Sequence, residues 1–204
     1  MIFKSAILKS EYLPPISTFW ALVNSENSFL EINENYQKKS TRNRAQILGV
    51  NGIEVLSVPL QKGKNSKMPI QEVAISNESN WQGKHLHSIR SAYGNSPYFD
   101  YYFDSLQGII NSKHGTLIRL NQKLLDFFIT SLDLDVKLKQ TVEYIHSYDE
   151  NFCDLRKLKF SKTELNGYSP KTYNQVFEEK HDFVSGLSIL DLLMCKGPES
   201  ILYI

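Results

Sequence analysis

The chain has 204 residues, of which 41% are hydrophobic and 22% charged, and its formal net charge is +1 at pH 7. This composition is typical of a globular protein, and the length predicts one folding unit over residues 1–204. The near-zero charge provides no overall attraction to nucleic acid, so the composition argues against a protein that binds nucleic acid non-specifically.

The two cysteines, Cys153 and Cys195, lie far apart and lack CxxC spacing. They predict neither a disulfide framework nor a zinc site, and a reducing, cytoplasmic location is expected. No apolar run reaches the roughly 18 to 20 residues that a membrane-spanning helix requires. The apolar run at the amino terminus is interrupted by Lys4 and is too short for a signal peptide. We therefore expect no membrane partner.

The first 32 residues predict a strand, a helix and a second strand. Ile2 to Leu8 is a short apolar run typical of a buried strand, and Pro14-Pro15 supplies the backbone angle favoured in the first turn of a helix. Phe29 to Ile32 predicts the second strand. This order is typical of a βαβ unit with parallel strands.

A β-hairpin is predicted over residues 44–60, because Asn51-Gly52 separates two apolar runs and is a strong two-residue turn signal. The predicted pairs are Val50 with Ile53 and Leu48 with Val55 on one face, and Ile47 with Leu56 and Ala45 with Val58 on the other. Both faces are largely apolar, which predicts a sheet covered on two sides.

From residue 75 onward the pattern changes to amphipathic helices. Apolar residues at helical spacing predict three helices that begin near Trp81, Pro97 and Leu117, and a closing helix is expected to start at Ser188 and stop at Gly197. The stretch 151–180 is polar and yields no clear element. The predicted fold class is therefore α/β, with an N-terminal mixed sheet covered by helices and a mainly helical C-terminal half.

The segment from Tyr36 to Arg44 carries four cations, Lys38, Lys39, Arg42 and Arg44, and no carboxylate. If the first hairpin strand extends backwards, Arg42 and Arg44 share one face about 7 Å apart, together with Lys38. Guanidinium groups donate two parallel hydrogen bonds, so this set is a candidate clamp for phosphate or carboxylate, and Asn43 could orient neighbouring groups. The alternative is a solvated, charged loop that enters a strand.

His85 falls on the same helical stripe as Trp81 and Ile89, and we therefore expect it to be at least partly buried. Its ordinary pKa near neutrality would suit proton transfer, whereas the alternative is a core histidine bonded to the backbone. No GxGxxG, P-loop, calcium-loop or zinc spacing occurs, so the sequence predicts no metal and no cofactor.

Several separated motifs, taken in their order, resemble the WbqC-like family of bacterial proteins, which is associated by name with O-antigen and related surface-polysaccharide loci. The motifs are Tyr12-Leu13-Pro14-Pro15, the segment from Tyr36 to Ile47, Asn51-Gly52, Leu56-Ser57-Val58-Pro59, Asn80-Trp81 through His85, Tyr93, Ser96-Pro97-Tyr98-Phe99, Leu187 to Leu193, and Gly197-Pro198-Glu199-Ser200. Lys9-Ser10 stands where the family commonly has glutamine-proline. The glycine-rich segment of longer members has no counterpart between Tyr144 and Val184, so the chain resembles a short form.

The resemblance implies a cytoplasmic enzyme of cell-surface polysaccharide precursor metabolism. Its substrate would be a nucleotide-linked amino sugar or a similar phosphorylated metabolite, modified by group transfer. The basic cluster itself, and not the resemblance, suggests Lys38, Arg42 and Arg44 for the phosphates, and the helical position of His85 suggests it for proton transfer. The alternative is a non-catalytic ligand-binding or partner-binding protein that uses the same basic cluster. The resemblance brings no catalytic residues with it, so enzyme and binding protein both stay open.

Overall fold

The computed structural model describes residues 2–62, 67–158, 165 and 167–204. In chain order its strands and helices are β1 (Phe3–Leu8), α1 (Ile16–Val23), β2 (Ser25–Leu30), β3 (Arg44–Gly49), β4 (Gly52–Ser57), α2 (Trp81–Tyr93), α3 (Phe99–Asn111), α4 (Leu117–Ser131), β5 (Leu138–Gln140), β6 (Phe152–Asp154), α5 (Glu178–His181) and α6 (Ile189–Lys196). A 3₁₀ helix at Ile70–Glu72 lies between β4 and α2, and another at Gly197–Tyr203 comes after α6. The predicted α/β class is confirmed.

A four-stranded parallel sheet forms the centre, with the strand order β5-β2-β1-β6. The predicted βαβ unit is present, because β1 and β2 pair in parallel on either side of α1 in the sequence. β2 begins earlier than the apolar pattern indicated. Its first residues, Ser25, Glu26 and Asn27, are polar and largely exposed, yet their backbone still pairs with β1. A strand can therefore start before its apolar pattern does.

The hairpin forms a separate two-stranded antiparallel sheet, and its predicted register was wrong. Gly49 pairs with Gly52, so the loop consists of Val50 and Asn51 rather than Asn51 and Gly52. Among the described residues, positive φ occurs here at Gly52 (φ 104°) but at neither loop residue. The turn is therefore not the mirror-image type that Asn-Gly favours. Gly52 is instead the first residue after the turn, where its positive φ is tolerated because it has no side chain.

The shift of two residues changes the partners but keeps each side chain on its predicted face. Ala45 and Ile47 are buried, whereas Ile53 and Val55 on the opposite face are 51% and 50% exposed. The prediction that both faces are covered therefore holds only in part, because Leu48 on the second face is buried whereas Ile53 and Val55 are not. The face that carries Ala45 and Ile47 packs into the core.

The three predicted amphipathic helices correspond to α2, α3 and α4. The Asn80 side chain caps α2 by accepting a hydrogen bond from the Gly83 backbone at 3.1 Å. Ser188 caps α6 as predicted, accepting from the Leu190 amide at 3.2 Å, and the helix ends at Gly197, whose φ is 54°. All residues of α6 except Lys196 are buried, so this helix lies in the core.

The polar stretch 151–180 contains β6 and the start of α5, although its residues 159–164 and 166 lie outside the described part of the chain. No helix among the described residues is both long enough and apolar enough to cross a bilayer.

We expect Ile47→Ala to lower the free energy of unfolding by about 2–5 kcal/mol, because Ile47 is fully buried and its truncation leaves a cavity. Ile53→Ala, in the neighbouring strand, should cost less than about 1 kcal/mol, since only the strand preference of a half-exposed residue is lost. Urea unfolding of both variants measures the difference. Similar losses would restore the two-sided hairpin that the sequence suggested.

Candidate functional site

The carboxyl ends of the four parallel strands meet at one edge of the sheet, and the segments that follow these strands carry buried charges. In open α/β sheets, ligands bind beyond this edge. The buried charged side chains are Lys9 and Glu11 after β1, Glu31 and Glu34 after β2, Arg42 before β3, and Arg156 after β6. Because ionised groups are almost never fully buried unless they are paired, the partners of each one decide which remain available to a ligand.

Lys9 and Glu11 form an ion pair beside β6, with 3.3 Å between Lys9 Nζ and Glu11 Oε1. The ammonium group also donates to the backbone carbonyls of Leu155 and Leu158, at 3.2 and 2.7 Å. The Glu11 carboxylate accepts hydrogen bonds from the hydroxyls of Thr18 and Thr41, each at 2.5 Å. The pair is thus held in place by α1 and by the segment before β3.

Arg42 is neutralised by Glu34. Its guanidinium donates through Nε and Nη2 to the two carboxylate oxygens, with 2.8 Å for the Nε bond. Nη2 also donates to the Arg156 carbonyl at 3.3 Å, and the Arg42 carbonyl accepts from the Asn121 amide on α4 at 2.8 Å. Only 1% of Arg42 is exposed. This residue therefore joins three loops and a helix and has no free face for a ligand.

Arg156 is similarly occupied. It donates to both carboxylate oxygens of Asp154 at 2.8 and 2.7 Å and to Glu31 at 3.2 Å. The rings of Tyr144 and Tyr148 each lie 4.8 Å from its guanidinium carbon. Burial alone would raise the pKa of Asp154, but the hydrogen bonds and charge of Arg156 outweigh burial and hold that pKa below its ordinary value.

The other residues predicted to bind a ligand are separated as well. Asn43 is buried, accepting from the Tyr36 hydroxyl at 2.9 Å and donating to the Val58 carbonyl at 2.9 Å. Lys38 is exposed in a turn. The strand begins at Arg44, so the expectation that Arg42 and Arg44 share a strand face was wrong. The structure therefore does not bring the four predicted residues together in one site.

Arg44 differs from the others, because it lines a narrow cleft and its Nε is buried without a hydrogen-bond partner among the described residues. The cleft has an apolar wall of Leu13 and Leu155, and its polar lining includes the Lys9–Glu11 pair and Thr18. Its enclosed volume of about 20 Å³ is enough for roughly one water molecule. The site as it stands can take one small polar group.

Leu13 adds a second unusual feature to this cleft. Its φ is 43°, a left-handed conformation that is rare for a bulky residue, and its side chain is almost fully buried. Such backbone strain costs of order 1–3 kcal/mol and clusters at functional sites. The loop after β1 therefore carries both the strained residue and the Lys9–Glu11 pair.

His85 lies elsewhere, in the core beneath the hairpin. Its Nδ1 is 2.8 Å from the Tyr12 hydroxyl, and its ring packs against Trp81. Burial lowers its pKa to about 4, although a backbone contact with Ser57 acts in the opposite direction. The imidazole is therefore neutral at pH 7. Its role in proton transfer stays a prediction, while its surroundings are those of a core histidine.

The sequence reasoning missed Lys9, Glu11, Glu31 and Arg156. A signal for them existed, because each lies within three residues after a short strand, at the position where parallel strands end. That signal can be read only once β1, β2 and β6 are known to be parallel neighbours. β6 has three residues and lies in the polar stretch that yielded no prediction.

Comparisons with known proteins give two findings. The model of the family described as the WbqC-like protein family matches residues 9–163, which is more than half of the chain. The "Uncharacterized protein Rv1507c" of Mycobacterium tuberculosis (strain ATCC 25618 / H37Rv) is similar, at 24% identity over 221 aligned residues that cover 97% of this chain and 95% of that protein. No solved structure matches the chain.

We expect Arg42→Met to destabilise the protein by about 3–5 kcal/mol, because it leaves the Glu34 carboxylate buried without its partner. Adding Glu34→Leu should restore part of this loss, since the unpaired charge is then removed. Lys38→Met is the control, and its effect should stay within about 0.5 kcal/mol because the side chain is exposed. Chemical denaturation measures all four proteins. Equal losses for Arg42→Met and Lys38→Met would contradict the buried pair.

The depressed pKa of His85 predicts a stability that falls as the solution becomes acidic. The folded-state value is about 4, against about 6.5 in the unfolded chain. Between these two values the unfolded chain binds more protons than the folded protein, so lowering the pH favours unfolding. From pH 7 to pH 5 the native protein should lose about 2 kcal/mol more than His85→Gln.

Urea unfolding at the two pH values measures this difference. His87→Gln is the matched control, because His87 lies on the same helix but is exposed. It should keep the pH dependence of the native protein. If His85→Gln also keeps that dependence in full, the buried imidazole is not its source.

Proposed function

This chain belongs to the WbqC-like protein family, and on that premise we propose that it is an enzyme of cell-surface polysaccharide precursor metabolism. Its substrate in this proposal is a small phosphorylated metabolite, with a nucleotide-linked amino sugar as the leading class, and the reaction is a group transfer in the cytoplasm. Both cysteines are buried free thiols, which is compatible with a reducing compartment.

The observation that carries the proposal is the unpartnered Nε of Arg44. A buried donor without an acceptor costs about 1–3 kcal/mol, so the free protein has a free-energy reason to bind an acceptor there. An oxygen of a phosphate or carboxylate group is the acceptor that a guanidinium binds best. The enclosed space admits one oxygen atom of such a group, and the rest of the ligand would extend from the cleft over its rim.

The Lys9–Glu11 pair supplies the chemistry in this proposal. Its ammonium and carboxylate lie 3.3 Å apart, and both residues line the cleft with Arg44. A carboxylate next to an ammonium can accept a proton from a substrate amine or hydroxyl and return it after the transfer. The hydroxyls of Thr18 and Thr41 hold the carboxylate in one orientation, which favours a defined proton path.

The second candidate function is binding without catalysis. It is favoured by the complete pairing of Glu11, whose oxygens already accept two hydroxyls and face Lys9. A carboxylate held in this way can be purely structural, and Arg44 would then dock an anionic group of a ligand or a protein partner. The two functions differ in one outcome, which is the appearance of product.

Calorimetric titration with a panel of nucleotide-linked amino sugars tests the proposal. Arg44→Gln should weaken the binding of the accepted ligand by about 10- to 100-fold, the effect of losing one or two charge-assisted hydrogen bonds. Lys38→Gln removes an exposed cation of the same segment and should change the affinity less than 2-fold, within about 0.4 kcal/mol.

Glu11→Gln separates the two candidate functions, and we expect it to leave binding largely intact but to abolish product formation. If Arg44→Gln binds as tightly as the native protein, or if no member of the panel binds, the proposed substrate site is wrong. Binding with no product from any acyl, amino or sugar donor would favour the binding protein.

A further inference from the structure

A wide groove with basic walls lies between α4 and the edge strand β5. Its volume is about 460 Å³, which falls in the range of about 300–1,000 Å³ typical of small-molecule sites. Its cations come from both walls, with Arg119 and Lys123 on α4 and Lys139 on β5. Neither the predicted clamp nor the proposed cleft includes any of these residues.

The three cations are placed where they repel one another. Arg119 and Lys123 are four residues apart on α4 and therefore neighbours on one helix face, where like charges are unfavourable. Lys139 faces them from the strand. All three side chains are exposed, and among the described residues none of them makes an ion pair within 4.0 Å. Asp126 also lines the groove, so three positive charges face one negative charge.

The neutral lining is also suited to an anion. Gln122 and Gln140 contribute side-chain amides that can donate hydrogen bonds. The His114 Nε2 lies 2.8 Å from the Ile109 carbonyl, and since a carbonyl only accepts, this nitrogen carries the proton. The other nitrogen of a neutral His114 is then an acceptor, so this side chain adds no donor for an anion.

The position of the groove supports a small-molecule ligand. It is bordered by Leu30 and Gln140, the last residues of β2 and β5, so it lies at the same carboxyl edge as the cleft. A small cavity of about 10 Å³ lies between the two regions, and Leu30 and Gln122 line both this gap and the groove. Lys9 and Glu11 line both the gap and the cleft.

We propose that the groove formed by Arg119, Lys123 and Lys139 is a second anion-binding site, which binds the phosphate groups of a small diphosphate-containing molecule. Three positive charges and the negative charge of Asp126 leave a net charge of +2, which favours an anion with at least two charges. The groove is open to water, so its affinity should fall as the ionic strength rises. The site does not depend on Arg44 and would exist whether or not the cleft is catalytic.

Isothermal titration with inorganic diphosphate at low salt tests this site directly. We expect binding to the native protein and about a 10-fold loss for either Arg119→Gln or Lys123→Gln, since each removes one charge-assisted contact. The double variant should show no measurable binding. Its melting temperature should match that of the native protein, because both side chains are exposed.

Two control variants keep the result specific. Lys84→Gln removes an exposed lysine of α2 and lowers the net charge by the same amount as Lys123→Gln, and it should bind diphosphate like the native protein. Arg44→Gln should also bind diphosphate normally, which separates this site from the proposed substrate cleft. Loss of diphosphate binding in Arg44→Gln alone would show that the anion binds in the cleft, and the proposal of a site in the groove would be wrong.

Two further outcomes would also overturn the proposal. One is the absence of diphosphate binding by the native protein at low salt. The other is equal binding by the native protein and the double variant. The native protein could also bind a short single-stranded oligonucleotide tightly but no free diphosphate, with the oligonucleotide binding lost in the double variant. The ligand of the groove would then be a nucleic acid and not a small molecule.

Discussion

The buried ion pair between Glu34 and Arg42 holds the carboxyl edge of the sheet together. Arg42 contacts the loop after β2 through its side chain, the segment after β6 through the Arg156 carbonyl, and α4 through its own carbonyl. Replacing such a pair by apolar residues costs little stability, whereas breaking it strands a charge in the interior. The pair therefore raises the free energy of any conformation in which one of these segments moves away and leaves a buried charge without its partner.

Arg44 depends on this anchor for its position. It stands two residues after Arg42, at the first residue of β3, so the fixed end of the strand determines where its guanidinium lies. Seven other charges among the described residues of this edge, among them Lys9 and Arg156, form ion pairs within the protein. A cluster that reads as four equivalent cations in the sequence thus contains a structural residue, a residue at the cleft, and exposed lysines.

The cleft and the groove represent two electrostatic regimes at one edge. The cleft has room for only about one water molecule, so leaving a single donor there without a partner is costly. In the groove, water screens the charges, and several cations are needed to attract one anion. The gap between them, lined by Gln122, is narrow enough that the two regions are distinct in this structure.

The sequence predicted the elements in which apolar residues recur at a regular spacing. The stripes of α2 to α4, the βαβ unit and the Ser188 cap were all readable, because apolar spacing and capping residues are local properties. The register of the hairpin could not be predicted in this way, since Gly52 could be either the second residue of the loop or the first residue after it. Only the backbone angles distinguish these two possibilities.

The partners of the buried charges could not be predicted from local sequence patterns, for a different reason. Glu34 and Arg42 are eight residues apart, but Arg156 and Glu31 are separated by 125 positions. Such pairs depend on β6 lying next to β1, and a three-residue strand in a polar stretch has no pattern of its own. Arg44 was identified from the local cluster of cations and the hairpin predicted beside it, whereas its position in one cleft with Lys9 became visible only with the structure.

The pairing of β1 with β6 also determines when this protein can complete its fold during synthesis. Ser5 pairs with Phe152, so one side of the central strand has no neighbour until nearly three quarters of the chain has been made. Such distant contacts form late, and an unpaired strand edge is prone to association with other chains. The Leu155 carbonyl that holds Lys9 arrives with β6. The position of Lys9 at the edge of the sheet is therefore complete only after β6 has paired with β1.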